Sequence, residues 1–293
     1  MTGHLLHVGY PKTGSNFLRR WFRDHPQLAY VERGIAGYSD VYEIAREAVA
    51  PRTDVRYRVT SSESFTAPHR DTGRDQQSQD DPLDPAVGQE NACALLASLF
   101  PGAHVLIVTR GFRSMIFSSF SQNVRSGSGV PLEEFIRQPL IERPWDYDRV
   151  IGMYRSAFGV EKVLVMPYEL LRDDADRFVR TLEESLGLTH CAAASGRLNP
   201  ALSSAEMYWY PRLTRMVQRL PIGSRLKHAY LRGIFRNRFR PAIALLQRVR
   251  PGIAVTANAI PDEAVNAYRG KADSLRGNRI YAPYANDYLF NTR

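Results

Sequence analysis

The chain has 293 residues, of which 44% are hydrophobic, and this is enough to form a sizeable core rather than a disordered protein. The sequence contains no run of about 18 apolar residues, and its first residues lack the order of a secretory signal. We therefore expect a cytoplasmic protein. The formal net charge is +9, which favours an acidic substrate or surface as partner.

Short apolar runs alternate along the chain with segments of helical periodicity. The runs predict strands at 4–9, 56–62, 104–109 and 162–167, and the periodic segments predict helices at 15–24, 39–49, 87–99, 112–125, 146–158, 174–186 and 262–275. This alternation predicts one α/β domain over 1–293, with a three-layer parallel sheet that has helices on both faces. Residues 66–91 are rich in Asp, Gln and Pro and predict a mobile loop.

The first strand leads into a glycine loop, since residues 5–18 read LLHVGYPKTGSNFL. Gly9 and Gly14 permit a tight turn, and the helix that follows would offer its first N–H groups and its positive dipole end to an anion. Lys12 adds a full positive charge. Because Lys12 precedes the second glycine, the loop differs from the triphosphate-binding pattern G-x-x-x-x-G-K-[ST]. We expect a phosphate-like anion that is not a triphosphate.

Three other polar segments follow predicted strands. They are Ser61–Ser64, Arg110 and Tyr168. In parallel α/β sheets, ligands bind outside the carboxyl ends of the strands. We therefore expect these segments and the Lys12 loop to face one crevice. Ser118 follows Arg110 by eight residues, and helical geometry predicts that one phosphate would meet both.

These two motifs resemble the nucleotide signatures of the sulfotransferases that use 3′-phosphoadenosine-5′-phosphosulfate (PAPS). The family pairs a Pro-Lys-x-Gly loop after the first strand with an Arg that is followed eight residues later by Ser. Residues 163–188, VLVMPYELLRDDADRFVRTLEESLGL, are similar to a further family segment, and 274–289 resemble the C-terminal segment of bacterial members. The likeness implies a fold similar to P-loop NTPases. Here RGFRS stands where the family commonly has Arg-Asn-Pro and an acidic residue.

The resemblance also implies roles for individual residues. The 5′-phosphosulfate would bind the loop, the 3′-phosphate would bind Arg110 and Ser118, and aromatic side chains would lie beside the adenine. Phe17 and Tyr168 are equally compatible with core packing. The residues implied in nucleotide binding are Pro11, Lys12, Thr13, Gly14, Ser15, Asn16, Phe17, Arg110, Ser118, Tyr168 and, closing from the C-terminal side, Arg276 or Arg279.

The implied reaction moves a sulfuryl group from PAPS, the co-substrate, to a hydroxyl of a carbohydrate, lipid or small metabolite, and releases adenosine 3′,5′-bisphosphate (PAP). No metal is implied. Lys12 would stabilise charge on the leaving phosphate, and a base would take the acceptor proton. Glu63 is the first candidate base, Glu32 the second and His69 the third. Either glutamate is also compatible with a surface or capping role.

A basic segment remains outside this resemblance. Residues 207–261 contain eleven Lys or Arg and no Asp or Glu, and they predict several short basic helices in an insertion at about 205–255, interrupted by prolines. Their charge is compatible with a solvated face, a membrane-surface or acidic-acceptor site, or, less well, nucleic-acid binding. Two rival functions stay open: a kinase of the P-loop class, and a membrane-surface or nucleic-acid binding protein with a vestigial loop. The oligomeric state is also open.

Overall fold

A computed structural model describes residues 2–34, 36–50, 52–66, 84–137, 145–192 and 202–290. The chain divides into two compact units, and each is described by itself. The first unit comprises Met1–Gly111, Leu140–Leu198 and Tyr268–Arg293, and the second unit comprises Phe112–Pro139 and Asn199–Ala267.

Five strands in the first unit form a parallel sheet in the order β2-β3-β1-β4-β5. The four predicted strands are confirmed. The fifth, β2, has two residues, which is too short to produce a periodic pattern in the sequence. The strands are β1 Gly3–Val8, β2 Leu28–Ala29, β3 Tyr57–Ser62, β4 His104–Thr109 and β5 Val163–Pro167.

Helices connect these strands and form the second unit. The predicted helices at 15–24 and 112–125 have the observed bounds, and four others agree within two residues. In chain order the helices are α1 Ser15–Asp24, α2 Val41–Val49, α3 Pro85–Leu99, α4 Phe112–Arg125, α5 Leu132–Arg137, α6 Tyr147–Phe158, α7 Tyr168–Asp173, α8 Ala175–Leu186, α9 Ser204–Arg219, α10 Ser224–Phe235, α11 Arg240–Val249 and α12 Asp262–Asn266.

Both faces of the sheet are covered, because alternate residues of each strand point to opposite sides. Leu106 and Val108 of β4 belong to a core cluster with residues of α1, α7 and α8. Val105 and Ile107 are equally buried and face the other side, where α6 contacts β4 and β5 and α3 contacts α6. The predicted α/β fold, with a parallel sheet between two helical layers, is confirmed.

The second unit contains the three basic helices α9, α10 and α11, as the sequence predicts. Ser203 and Glu206 form a capping box that starts α9. The prediction that Pro211 interrupts this segment is wrong, since Pro211 is buried within α9. Pro241 lies in the first turn of α11, where its missing N–H costs no helical hydrogen bond.

Two further predictions need correction. The helix expected over 262–275 ends at Asn266, and Gly270 then adopts a φ of 76°, which is a left-handed conformation that does not continue a helix. Residues 85–91 of the expected mobile loop form the first turns of α3, which Asp84 caps by accepting a hydrogen bond from the Ala86 N–H at 2.9 Å. The prediction for 67–83 falls outside the described residues.

Candidate anion-binding and active site

The loop between β1 and α1 has the backbone of an anion cradle. Lys12 and Gly14 adopt φ angles of 71° and 88°, and the Thr13 hydroxyl donates to the Tyr10 carbonyl oxygen at 2.6 Å. Gly14 is the N-cap of α1 and has no side chain to bond the first N–H groups of the helix, and the first turn of α1 contains no acidic residue. These N–H groups and the helix dipole therefore favour an anion above the loop.

Glycine is required at position 14 for a second reason. A Cβ atom on Gly14 would lie 2.5 Å from Cδ2 of Leu171 in α7 and 3.5 Å from the Tyr168 ring. Both residues follow β5 directly. The loop after β1 thus packs closely against the segment that follows β5, and this contact and the left-handed φ of Gly14 together favour glycine.

Two buried polar atoms lie beneath the loop at Gly9. The Ser15 hydroxyl and Nε2 of His7 are buried without a hydrogen-bond partner among the described residues. A Cβ atom on Gly9 would lie 2.6 Å from His7 Nε2 and 3.4 Å from Ser15 Oγ. Nδ1 of His7 is hydrogen-bonded to the Ser61 hydroxyl at 2.7 Å. Burial, with a smaller contribution from Arg19, lowers the pKa of His7 to about 3, so the ring is neutral at physiological pH.

Arg110 follows β4 and contacts residues that follow β1 and β5. Its Nη1 donates to the Lys12 carbonyl oxygen at 2.7 Å, and its guanidinium carbon lies 4.4 Å from the centroid of the Tyr168 ring, within reach of a cation–π interaction. The Tyr147 hydroxyl donates to the Arg110 carbonyl oxygen at 2.6 Å. Burial lowers the pKa of the Arg110 guanidinium from its ordinary value. The segments after β1, β4 and β5 therefore meet at one edge of the sheet, as predicted.

Glu169 supports this junction, although no role was predicted for it. Its buried carboxylate accepts hydrogen bonds from the Gly111 N–H at 3.0 Å and from the Tyr288 hydroxyl at 2.9 Å. Tyr288 also contacts the Thr109 hydroxyl at 3.1 Å. Glu169 thus connects the end of β4 to the C-terminal segment. A charged residue beside the apolar strand β5 was the available signal, because a buried carboxylate requires donors.

The two candidate bases differ in position and exposure. Glu63 follows β3 at the same sheet edge, and its Oε1 lies 3.6 Å from Arg19 Nη2, with 31% of the side chain exposed. The nearby Thr66 hydroxyl donates to the Gly9 carbonyl oxygen at 2.8 Å, which ties this turn to the loop. Glu32 is 58% exposed and pairs with Arg23 at 3.1 Å. His69 lies outside the described residues.

The remaining predicted residues lie in the loop, in α1, in α4 and in the C-terminal segment. Arg110 precedes α4, so helical rotation does not relate it to Ser118, which is buried in α4 within the second unit. Phe17 packs against the core cluster, as its alternative interpretation expected. Arg276 is exposed and pairs with Asp273 at 3.0 Å, and Arg279 is exposed. Pro11 is half-buried in the loop, and Asn16 is exposed in the first turn of α1.

The donors at the sheet edge are cationic side chains, hydroxyls and backbone N–H groups, which suit an anion. Within the described ranges, no group of three or more His, Cys, Asp or Glu is placed to hold a metal ion. No helix in that part of the chain combines the length and apolar character needed to cross a bilayer.

Comparison with known proteins gives matches among solved structures. No protein-family model and no curated protein matches the chain. The chain resembles sulfotransferases. A sulfotransferase from Alicyclobacillus acidocaldarius shares 17% identity at a TM-score of 0.45, over 85% of this chain and 96% of that chain.

Two more sulfotransferases match at similar levels. A mouse sulfotransferase in complex with PAP shares 12% identity at a TM-score of 0.42, over 98% of this chain and 88% of that chain. The sulfotransferase domain of the Synechococcus PCC 7002 olefin synthase shares 15% identity at a TM-score of 0.41, over 79% of this chain and 93% of that chain.

Proposed function

We propose that this protein transfers the sulfuryl group of PAPS to a hydroxyl of a carbohydrate, lipid or small-metabolite acceptor and releases PAP. The hydrogen bond from Arg110 to the Lys12 carbonyl oxygen, 2.7 Å long, carries this proposal. It joins the Arg110 guanidinium to the backbone of the Lys12 loop, so the two sequence motifs meet at adjoining strand ends. A bisphosphorylated nucleotide has two separated anionic groups, and two cations anchored on different strands suit such a ligand.

The loop is suited to the 5′ end of the nucleotide. The loop supplies hydrogen-bond donors of three kinds: the first N–H groups of α1, the Lys12 ammonium and the buried Ser15 hydroxyl. The transferred group carries spread negative charge, so catalysis depends on positioning and charge stabilisation. Lys12 would meet the charge that builds up on the bridging oxygen as the bond to sulfur breaks, and the Ser15 hydroxyl would hold the phosphate.

Arg110 is suited to the 3′-phosphate of the nucleotide. Arg110 is held by the Lys12 carbonyl oxygen and by the face of Tyr168. A planar guanidinium can bind phosphate in a bidentate manner, which an ammonium cannot. Arg276 and Arg279, which are exposed, are the further cations proposed to bind the nucleotide from the C-terminal side.

Glu63 is the base that the arrangement favours. It follows β3 at the edge where the loop lies, and Arg19 of α1 holds its carboxylate at 3.6 Å. A carboxylate in this place would accept the acceptor proton while the oxygen attacks sulfur in line with the leaving phosphate. The Glu32 side chain is 58% exposed, compared with 31% for Glu63, so we rank it second.

Calorimetry with PAP tests the proposal. The wild-type chain should bind PAP without a divalent cation, and Arg110→Ala should weaken that binding by about tenfold or more, since a charge-assisted pair is lost. Arg180→Ala is the matched control, because Arg180 is an exposed arginine of α8 that pairs with Asp176. Binding of ATP with magnesium in place of PAP would instead favour a kinase. The absence of PAP binding would refute the proposal.

A further inference from the structure

Three helices of the second unit carry a surface in which arginines alternate with exposed apolar side chains. The sulfuryl transfer proposed above uses none of these residues. We propose that this basic helical surface, formed by the exposed sides of α9, α10 and α11, binds anionic lipid membranes. The partner is thus a bilayer with negatively charged headgroups.

The pattern is clearest on α10. Gly233 and Ile234 are buried, whereas Arg225 and Arg232 are exposed. Arg225 and Arg232 are seven residues apart and therefore share one side of the helix. Leu226 is 63% exposed and Phe235 is 62% exposed. The exposed side of α10 is thus both cationic and apolar, which is the composition of helices that lie in the membrane interface.

The neighbouring helices repeat this composition. At the end of α9, Arg219 and Leu220 are adjacent and exposed. On α11, Arg248 is exposed between Leu245 and Val249, and Val249 is 78% exposed. Because these apolar side chains are mostly exposed, their burial contributes little to the stability of the folded chain. Their clustering beside arginines favours an interface with an apolar layer below a charged one.

The three helices form one packed body. The Thr214 and Tyr230 hydroxyls, 3.2 Å apart, join α9 to α10. The Trp209 indole N–H donates to Gln247 Oε1 at 2.9 Å and joins α9 to α11. α9 therefore holds both other helices by side-chain contacts on their inner sides, and their outer sides are presented on a folded support rather than by loose segments.

The charge on this surface is not neutralised locally. Arg215 pairs with Glu134 and Arg240 pairs with Glu206, but the next acidic residue after Glu206 is Asp262. An unbalanced cationic surface attracts anionic lipid, and each basic residue near the bilayer adds to binding. Eight exposed arginines of 207–261 have no carboxylate partner within the described ranges: Arg212, Arg219, Arg225, Arg232, Arg236, Arg238, Arg248 and Arg250.

The apolar side chains favour a bilayer over nucleic acid. The phosphate backbone of a duplex attracts arginines but offers little apolar surface to side chains such as Leu226 and Val249. A bilayer offers anionic headgroups and, below them, acyl chains that accept aliphatic and aromatic side chains. Ile253, which follows α11, is also 78% exposed and extends the apolar part of the surface.

Vesicle sedimentation of the full-length protein tests this proposal. Vesicles of phosphatidylcholine alone are compared with vesicles that contain equal parts of phosphatidylcholine and phosphatidylglycerol, at low and high salt. We expect binding to the anionic vesicles only, weakened by salt. Arg225→Glu with Arg232→Glu should weaken binding about tenfold or more, and Leu226→Ser with Phe235→Ser should also weaken it at constant charge.

The matched control is Arg20→Glu with Arg46→Glu, which makes the same change in net charge on exposed residues of the first unit. It should retain vesicle binding. If circular dichroism shows that the charge-reversed α10 variant is unfolded, Arg225→Gln with Arg232→Gln replaces it, with a smaller expected loss. The proposal is overturned if anionic vesicles are not bound, if the control loses as much binding, or if a DNA duplex binds more tightly than the vesicles.

Discussion

Glu169 and Gly111 are joined by a hydrogen bond of 3.0 Å from the Gly111 N–H to the Glu169 carboxylate. Glu169 follows β5 and Gly111 follows β4, so this bond fixes the backbone directly after Arg110. The other carboxylate oxygen accepts from Tyr288 at 2.9 Å. The carboxylate therefore holds the candidate phosphate-binding arginine in place without needing to touch the nucleotide.

Replacement of Glu169 tests this positioning role. Glu169→Leu removes the carboxylate that accepts hydrogen bonds from the buried Gly111 N–H and the Tyr288 hydroxyl, which should lower the free energy of unfolding by about 1–3 kcal/mol and weaken PAP binding. Glu169→Gln keeps an acceptor for the Gly111 N–H, so it should lose less stability and less PAP affinity than Glu169→Leu. Urea denaturation and calorimetry measure the two effects. Equal PAP affinity in folded Glu169→Leu and wild type would contradict the role.

Lys12 should affect the rate far more than nucleotide binding. Lys12→Met removes the ammonium but keeps most of the side-chain stem, and the turnover of labelled sulfate should fall by about 100- to 1000-fold with only a modest change in PAP affinity. The left-handed backbone at position 12, with φ 71°, strains both side chains alike, so stability should change little. Wild-type turnover in Lys12→Met would remove Lys12 from the mechanism.

Glu63 and Glu32 form a matched pair for locating the base. Glu63→Gln should lower the turnover by about 100- to 10,000-fold, as expected for a general base, and should retain PAP affinity. Glu32→Gln, the same substitution on the more exposed glutamate, should turn over normally. Single-turnover kinetics with a responsive acceptor separates the two. The reverse result would transfer the role to Glu32.

His7 predicts a loss of stability in acid. Its folded pKa is about 3, below the ordinary 6.5, so the unfolded chain binds the proton first as the pH falls. The stability that neutral His7 contributes is complete above about pH 6.5 and is lost progressively as the pH falls towards about 3. At about pH 5 the loss in the free energy of unfolding is roughly 2 kcal/mol. Urea denaturation at neutral pH and at about pH 5 checks this: the free energy of unfolding should fall by about 2 kcal/mol less in His7→Asn than in wild type.

His228, which is exposed on α10, provides the control for this measurement. His228→Asn should lose stability with falling pH in the same way as wild type. His4 is also in β1, and burial lowers its pKa to about 4, so part of the acid sensitivity remains in His7→Asn. An acid response of His7→Asn equal to that of wild type would show that His7 is not buried as described.

Most of the fold could be predicted from the sequence, and the errors have local causes. The buried strands β1, β3, β4 and β5 are continuous apolar runs, and such runs identify strands of a parallel sheet directly. The loop after β1 was identified by its glycines and Lys12. The end of α12 at Asn266 was missed because the apolar pattern continues past this residue, to Tyr268, Ala272 and Leu275.

The sequence by itself determined the order of strands and helices, the cradle after β1 and the excess of arginine in α9, α10 and α11, because these depend on local pattern and composition. Only the tertiary structure decided which side chains meet. His7 and Ser61, Arg110 and the Lys12 carbonyl oxygen, and Glu169 and Gly111 are far apart in the chain. Sheet register and packing bring them together, and neither is encoded in residue spacing along the chain.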